Sequence, residues 1–127
     1  MKIAKWAMIP GAMFEVAKSE ITDADLDFAS RYVLWAESVS DSSHFDDEQS
    51  PGMFAVYKDP VMAFFQKQLW PRMEEVSGLS LLPTYSYLRV YRPGATLEKH
   101  KDRPACEISA TLLIGTNQEE SWPLFIE

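Results

Sequence analysis

Thr84 to Gly115 reads TYSYLRVYRPGATLEKHKDRPACEISATLLIG, and the fold turns on how this stretch divides. From Thr84 to Tyr91 the chain alternates, with Tyr85, Tyr87, Arg89 and Tyr91 on one face and Leu88 and Val90 on the other. Glu107 to Ile114 behaves likewise: Ile108, Ala110, Leu112 and Ile114 form an apolar face, and Ser109, Thr111 and Leu113 a more polar one. Period-two alternation of this kind predicts two half-buried strands. Between them Pro93-Gly94 predicts a turn, and His100-Lys101-Asp102 follows. Residues two apart on an extended chain point the same way. An imidazole nitrogen and a carboxylate oxygen then face one divalent ion from one side, with Lys99 and Lys101 turned outward.

The elements before this stretch supply its cover. Thr22 has the chemistry of a helix N-cap, with Asp23 and Asp25 in the first turn where the helix dipole favours them. Leu26, Ala29, Val33 and Ala36 recur at helical spacing, and Phe28, Tyr32 and Trp35 widen that face, which predicts a helix over Asp23–Ser38. Asp59-Pro60 opens a second helix as N-cap and first helical residue. Val61, Phe65, Leu69, Met73 and Val76 trace its apolar face down to Gly78, with a kink or break expected near Trp70 because Pro71 lies inside. Short strands are expected at Ile3–Ile9, closed by a Pro10-Gly11 turn, at Met53–Tyr57 on a sheet edge, and at Trp122–Ile126. A second H-x-D, His44-Phe45-Asp46, lies in the polar run of residues 38–52. No strand pattern surrounds it, so it reads as part of a solvated acidic loop rather than a metal site.

The motif between Tyr91 of YRPG, His100-x-Asp102 nine residues later, and the strand CEISATLLIG resembles the Fe(II)/2-oxoglutarate-dependent oxygenases. The likeness is to their prolyl-4-hydroxylase-like branch and covers Leu81 to Glu127. It implies an α+β fold: a partial double-stranded β-helix, or jelly roll, backed by two N-terminal amphipathic helices. Residues 1–127 then form a single domain, with 1–80 as helical support region and 81–127 as the first half of the jelly-roll core. The resemblance makes His100 and Asp102 metal ligands for Fe(II) and Tyr91 a residue that binds the co-substrate 2-oxoglutarate. Arg89, which shares a face with Tyr91, either contacts substrate or co-substrate or forms a surface salt bridge. Arg103, beside Asp102, either orients the ligand loop or meets substrate. The implied activity is a dioxygenase that hydroxylates a C–H bond of a protein, peptide or amino-acid substrate.

The chain departs from the family where its later strands are expected. The only other histidine is His44, and no Lys or Arg follows Arg103, so a distal histidine ligand and the usual carboxylate-binding arginine have no counterpart. These absences predict an N-terminal fragment of an oxygenase, inactive by itself, whose unpaired strand edges promote self-association. Two other readings stand beside it: a cupin-like metal-binding domain without 2-oxoglutarate, and a non-enzymatic interaction half-barrel.

Composition bounds all three. The 127 residues suffice for one domain with its own core, and 46% hydrophobic with 24% charged residues is ordinary for a globular protein. A formal charge of −7 argues against a nucleic-acid partner. One cysteine, Cys106, excludes an internal disulfide and fits a cytoplasmic setting. No run reaches the ~18 apolar residues that would span a bilayer.

Overall fold

The computed structural model describes residues 20–119 in full and the backbone of two preceding strands, β1 (Ile3–Ile9) and β2 (Ala12–Lys18). The elements that follow are α1 (Asp23–Val39), a single 3-10 turn at Ser42–Phe45, β3 (Phe54–Tyr57), α2 (Pro60–Ser77), β4 (Tyr87–Val90) and β5 (Ser109–Thr111). The protein is thus mixed helix and sheet, an α+β arrangement. Among the described residues no helix is long and apolar enough to cross a membrane. The turn expected at Pro10-Gly11 and the strand expected at Trp122–Ile126 lie outside the described residues.

Local chemistry sets the helices. The Thr22 hydroxyl accepts the Asp25 N–H at 3.1 Å and starts α1. Asp59 caps α2 by accepting from the Val61 and Met62 amides at 2.9 and 3.0 Å, with Pro60 at the first helical position. Gly78 ends α2 in the left-handed region at φ 68°, its N–H donating to the Glu74 carbonyl. The break expected near Trp70 is absent: α2 is assigned as one helix through Pro71. Pro71 withholds a single backbone donor, while Leu69, Met73 and Val76 on both sides of it share one packing cluster that holds the turns together.

Both helices bury much of the stripes their spacing predicts: Leu26, Ala29 and Val33 of α1 and Phe65 and Leu69 of α2 are buried, while Ala36, Val61, Met73 and Val76 are partly buried. Met62, outside the expected stripe of α2, is buried as well. Ala29, Val33, Met62 and Phe65 pack with Phe54 of β3 and Leu88 of β4 into the main core. Burying six such side chains contributes roughly 1.5–3 kcal/mol for each large one, before chain entropy is set against it. Phe28 and Trp35 do not join this face. They are 54% and 60% exposed and flank Tyr32 in a row along the outside of α1, with ring centroids 6.5 and 6.3 Å apart.

The strands sort into two antiparallel sheets, β2-β1-β5 and β3-β4. Ile9 pairs with Ala12 between β1 and β2, and Lys5, Trp6 and Ala7 pair with Thr111, Ala110 and Ser109. In the second sheet Phe54 pairs with Val90, Val56 with Leu88, and Tyr57 with Tyr87. This register puts Phe54, Val56, Leu88 and Val90 on the core face and Ala55, Tyr57, Tyr87 and Arg89 on the other. The two expected strands are shorter than their alternation implied, and they pair with β3 and β1 rather than with each other. Gly115 lies against α1: a Cβ there would sit 2.6 Å from Ser30 Oγ, whose hydroxyl donates to the Ile114 carbonyl at 3.2 Å.

Candidate metal-binding loop

The segment carrying His100 and Asp102 is irregular rather than extended, and it is shaped by two turns and a few polar links. Arg92–Ala95 closes as a tight turn, with Ala95 N–H donating to Arg92 O at 2.9 Å, Pro93 inside it and Gly94 at φ 85°. A positive φ at the third position is the signature of a type II turn, which Pro-Gly satisfies without strain. The chain then reaches Glu98, whose N–H donates to the Gln49 carbonyl at 2.8 Å. Beyond Asp102, the Cys106 N–H donates to Arg103 O at 2.8 Å and folds the chain back toward β5. Ser109, the first residue of β5, thereby reaches Asp102, its hydroxyl donating to Oδ2 at 2.6 Å.

His100 and Asp102 are brought side by side. His100 Nε2 lies 3.7 Å from Asp102 Oδ1, with the side chains 26% and 46% exposed. The other ring nitrogen, Nδ1, sits 2.8 Å from the Glu98 carbonyl. A carbonyl can only accept, so Nδ1 carries a proton, and in the neutral ring Nε2 then presents a lone pair toward a carboxylate oxygen. The Nε2–Oδ1 gap is closed either by a proton on Nε2 or by a metal cation held between the two atoms. Metal-bound histidines commonly have this arrangement, the distal N–H given to a carbonyl and the near nitrogen left bare. Two donors ~2.1 Å from one ion at a right angle stand ~3.0 Å apart, so a small swing of the half-exposed Asp102 closes the geometry. Among the described residues, no group of three His, Cys, Asp or Glu side chains forms.

The neighbouring residues fall into other arrangements. Arg89 joins a buried cluster: its Nε lies 2.6 Å from Asp47 Oδ2 and its Nη2 donates to Gln49 Oε1. The Arg89 and Asp47 side chains are only 15% and 9% exposed, so the surface salt bridge anticipated for Arg89 is an interior one. Burial pushes the Asp47 carboxyl up, but the Arg89 guanidinium and the Gln49 amide more than offset this and hold it below its ordinary range. Arg103 lies over the rings of Tyr85 and Tyr57, 4.6 and 5.1 Å from their centroids, and its Nη1 donates to the Tyr57 hydroxyl at 3.4 Å. Tyr91 is 38% exposed just past the end of β4.

The 38–52 run is not simply a solvated loop. Ser50 is fully buried, Phe45 packs on the main core, and Asp47 and Gln49 hold Arg89. His44 faces Asp41 at 3.5 Å. It also lines a cavity of about 330 Å3 with Asp46, Asp47, Tyr57 and Tyr87, and neither His100 nor Asp102 borders that space. Asp47 and Gln49 escaped the sequence reading because nothing in an acidic run marks which carboxylate will meet an arginine some forty residues on. Ser109 carried a usable signal: it sits on the polar face of its strand, the side that meets Asp102. No protein-family model, curated protein or solved structure matches the chain.

Proposed function

We propose that His100 Nε2 and Asp102 Oδ1 bind a divalent first-row transition metal, Fe(II), as part of a 2-oxoglutarate-dependent dioxygenase of the hydroxylase type. The observation that carries the metal reading is the imidazole whose Nδ1–H is given to Glu98 O while its bare Nε2 faces a carboxylate. The residues fit the ion in part, since they provide two donors and no third among those described. They do not furnish a partner for the far carboxylate of 2-oxoglutarate: Arg89 is committed to Asp47 and Gln49, and Arg103 gives its Nη1 to Tyr57. The dioxygenase reading therefore requires a third ligand and a basic residue from beyond the described residues. A bound Fe(II) supplies open positions for oxygen activation. The chain's own part is to hold that ion, with Glu98 O fixing the imidazole and Ser109 the carboxylate.

In this reading the two antiparallel sheets belong to a double-stranded β-helix covered by α1 and α2, in a cytoplasmic protein. Tyr91 remains the candidate for co-substrate contact, and a protein, peptide or amino acid the candidate substrate. Self-association belongs to the same proposal, because among the described residues β3 and β4 pair only with each other, which leaves an outer edge on each.

Anaerobic titration with Fe(II) or Co(II) tests it. The parent binds weakly, as two ligands dictate, and His100→Ala abolishes binding. A His100→Ala variant that titrates like the parent sinks the assignment. Adding 2-oxoglutarate to the anaerobic Fe(II) complex of a full-length version that supplies the third ligand and the basic residue separates the oxygenase, which gains a visible charge-transfer band, from a cupin-like metal domain, which does not.

A further inference from the structure

We propose that Arg89 is a positioning residue for His100, acting through Asp47, Gln49 and the backbone of Glu98 to fix the tautomer and orientation of the imidazole. The inference rests on the reading of His100 as a metal ligand and extends it to residues that do not touch the ion.

The connection is continuous. Arg89 Nε donates to Asp47 Oδ2 at 2.6 Å and Nη2 to Gln49 Oε1, while Asp47 Oδ1 accepts the Gln49 N–H at 3.1 Å. One guanidinium thus pins residues 47–49 by two side chains, and the charges are buried enough that the geometry is well defined. The Gln49 carbonyl, held in this way, accepts the Glu98 N–H at 2.8 Å. Glu98 spans the gap: its N–H looks to Gln49 and its C=O looks to His100 Nδ1, also at 2.8 Å. Glu98–Asp102 belongs to no strand, so no sheet ladder sets the direction of that carbonyl. The Gln49–Glu98 link is a backbone hydrogen bond that ties this segment to the loop carrying Asp47 and Gln49. If the link fails, the Glu98 carbonyl is free to rotate, Nδ1 loses its acceptor, and the proton moves readily to Nε2, where it blocks the metal.

Nitrogen NMR of the imidazole rings tests this without any metal, above the ordinary imidazole pKa range where neutral rings dominate. The chain has two histidines, so the His100 signals are identified by their loss in His100→Ala. Two variants break the chain of contacts at different points. The double variant Arg89→Met/Asp47→Asn removes both buried charges together, which avoids leaving one unpaired. Glu98→Pro removes the N–H that reaches Gln49 and leaves the buried cluster intact. In the parent, His100 is the Nδ1–H tautomer. In either variant the Nε2–H tautomer takes over at least half the population, and Co(II) affinity falls ~10–100-fold. Far-ultraviolet circular dichroism reports whether each variant keeps its helices, and either folded variant decides the matter. A folded variant that keeps the Nδ1–H tautomer and the parent's Co(II) affinity overturns the proposal. If the tautomer shifts but the parent itself binds no Co(II), the metal reading fails while the positioning of His100 by Arg89 stands.

Discussion

Replacing Tyr32 with phenylalanine probes the join between the two helices. The Tyr32 hydroxyl, on α1, donates to Asp59 Oδ2 at 2.5 Å, and Asp59 also caps α2 through its other oxygen. Asp59 is 6% exposed, and these three donors satisfy its two oxygens. The hydrogen bond to Asp59, followed by burial, raises the Tyr32 pKa from 10.0 to about 12. A rise of that size corresponds to at most ~2.7 kcal/mol. Water at the half-buried hydroxyl screens the interaction and brings the expected loss in Tyr32→Phe to ~1–2 kcal/mol. The sign follows from linkage. A hydroxyl whose folded pKa exceeds its unfolded value stabilises fully below pH 10, and that contribution is lost as pH rises from 10.0 to about 12. Urea unfolding of parent and variant should therefore differ by the full amount at neutral pH and converge across that interval. Comparing the two chains cancels the ionisation of the remaining tyrosines. Equal stability at neutral pH, or a difference that persists unchanged through the alkaline interval, would refute the reasoning.

Two further perturbations address packing and charge elsewhere. Gly115→Ala drives a Cβ to 2.6 Å from Ser30 Oγ and disrupts its bond to Ile114 O, so it should cost ~1–2 kcal/mol in thermal or urea unfolding. In a Ser30→Ala background the same change should cost less than half as much. Asp47→Asn strands the Arg89 guanidinium and should cost ~2–4 kcal/mol at neutral pH. Because the folded Asp47 carboxyl lies below its ordinary range, the parent's advantage is complete above that range. It shrinks as pH falls through the range, so an acid-unfolding series in which the gap stays constant would contradict the ion pair.

The parts of this fold that depend on near neighbours could be read from the chain. The Thr22 and Asp59 caps, the Gly78 stop and the Pro93-Gly94 turn each need only a residue type and its immediate backbone, so the sequence carries them openly. Leu26, Ala29 and Val33 likewise announce a buried stripe. Which strand pairs with which was not legible, because alternation marks a face and says nothing about a partner. The outward position of Phe28 and Trp35 escaped for a related reason: with apolar residues around much of α1, spacing alone does not say where the stripe ends. Of the candidate site, His100 and Asp102 were legible as a pair from their spacing, although the chain that presents them is a loop and not a strand. The support beneath them was not, since the contacts from Asp47 and Gln49 to Arg89 and from Gln49 to Glu98 cross some forty residues or more.

The pairing of β1 with β5 also sets an order of events in folding. Residues 5–7 meet residues 109–111, so closing that contact from an open chain spans about a hundred residues and costs roughly 4 kcal/mol of loop entropy. Three paired residues cannot repay that alone. The β1–β2 hairpin and the two helices, whose contacts are local, form first and shorten the gap that β5 must bridge. During synthesis at ~5–20 residues per second, β1 waits on the order of 5–20 s with its second edge unpaired. That interval, rather than the finished fold, is when this chain is most open to joining a copy of itself.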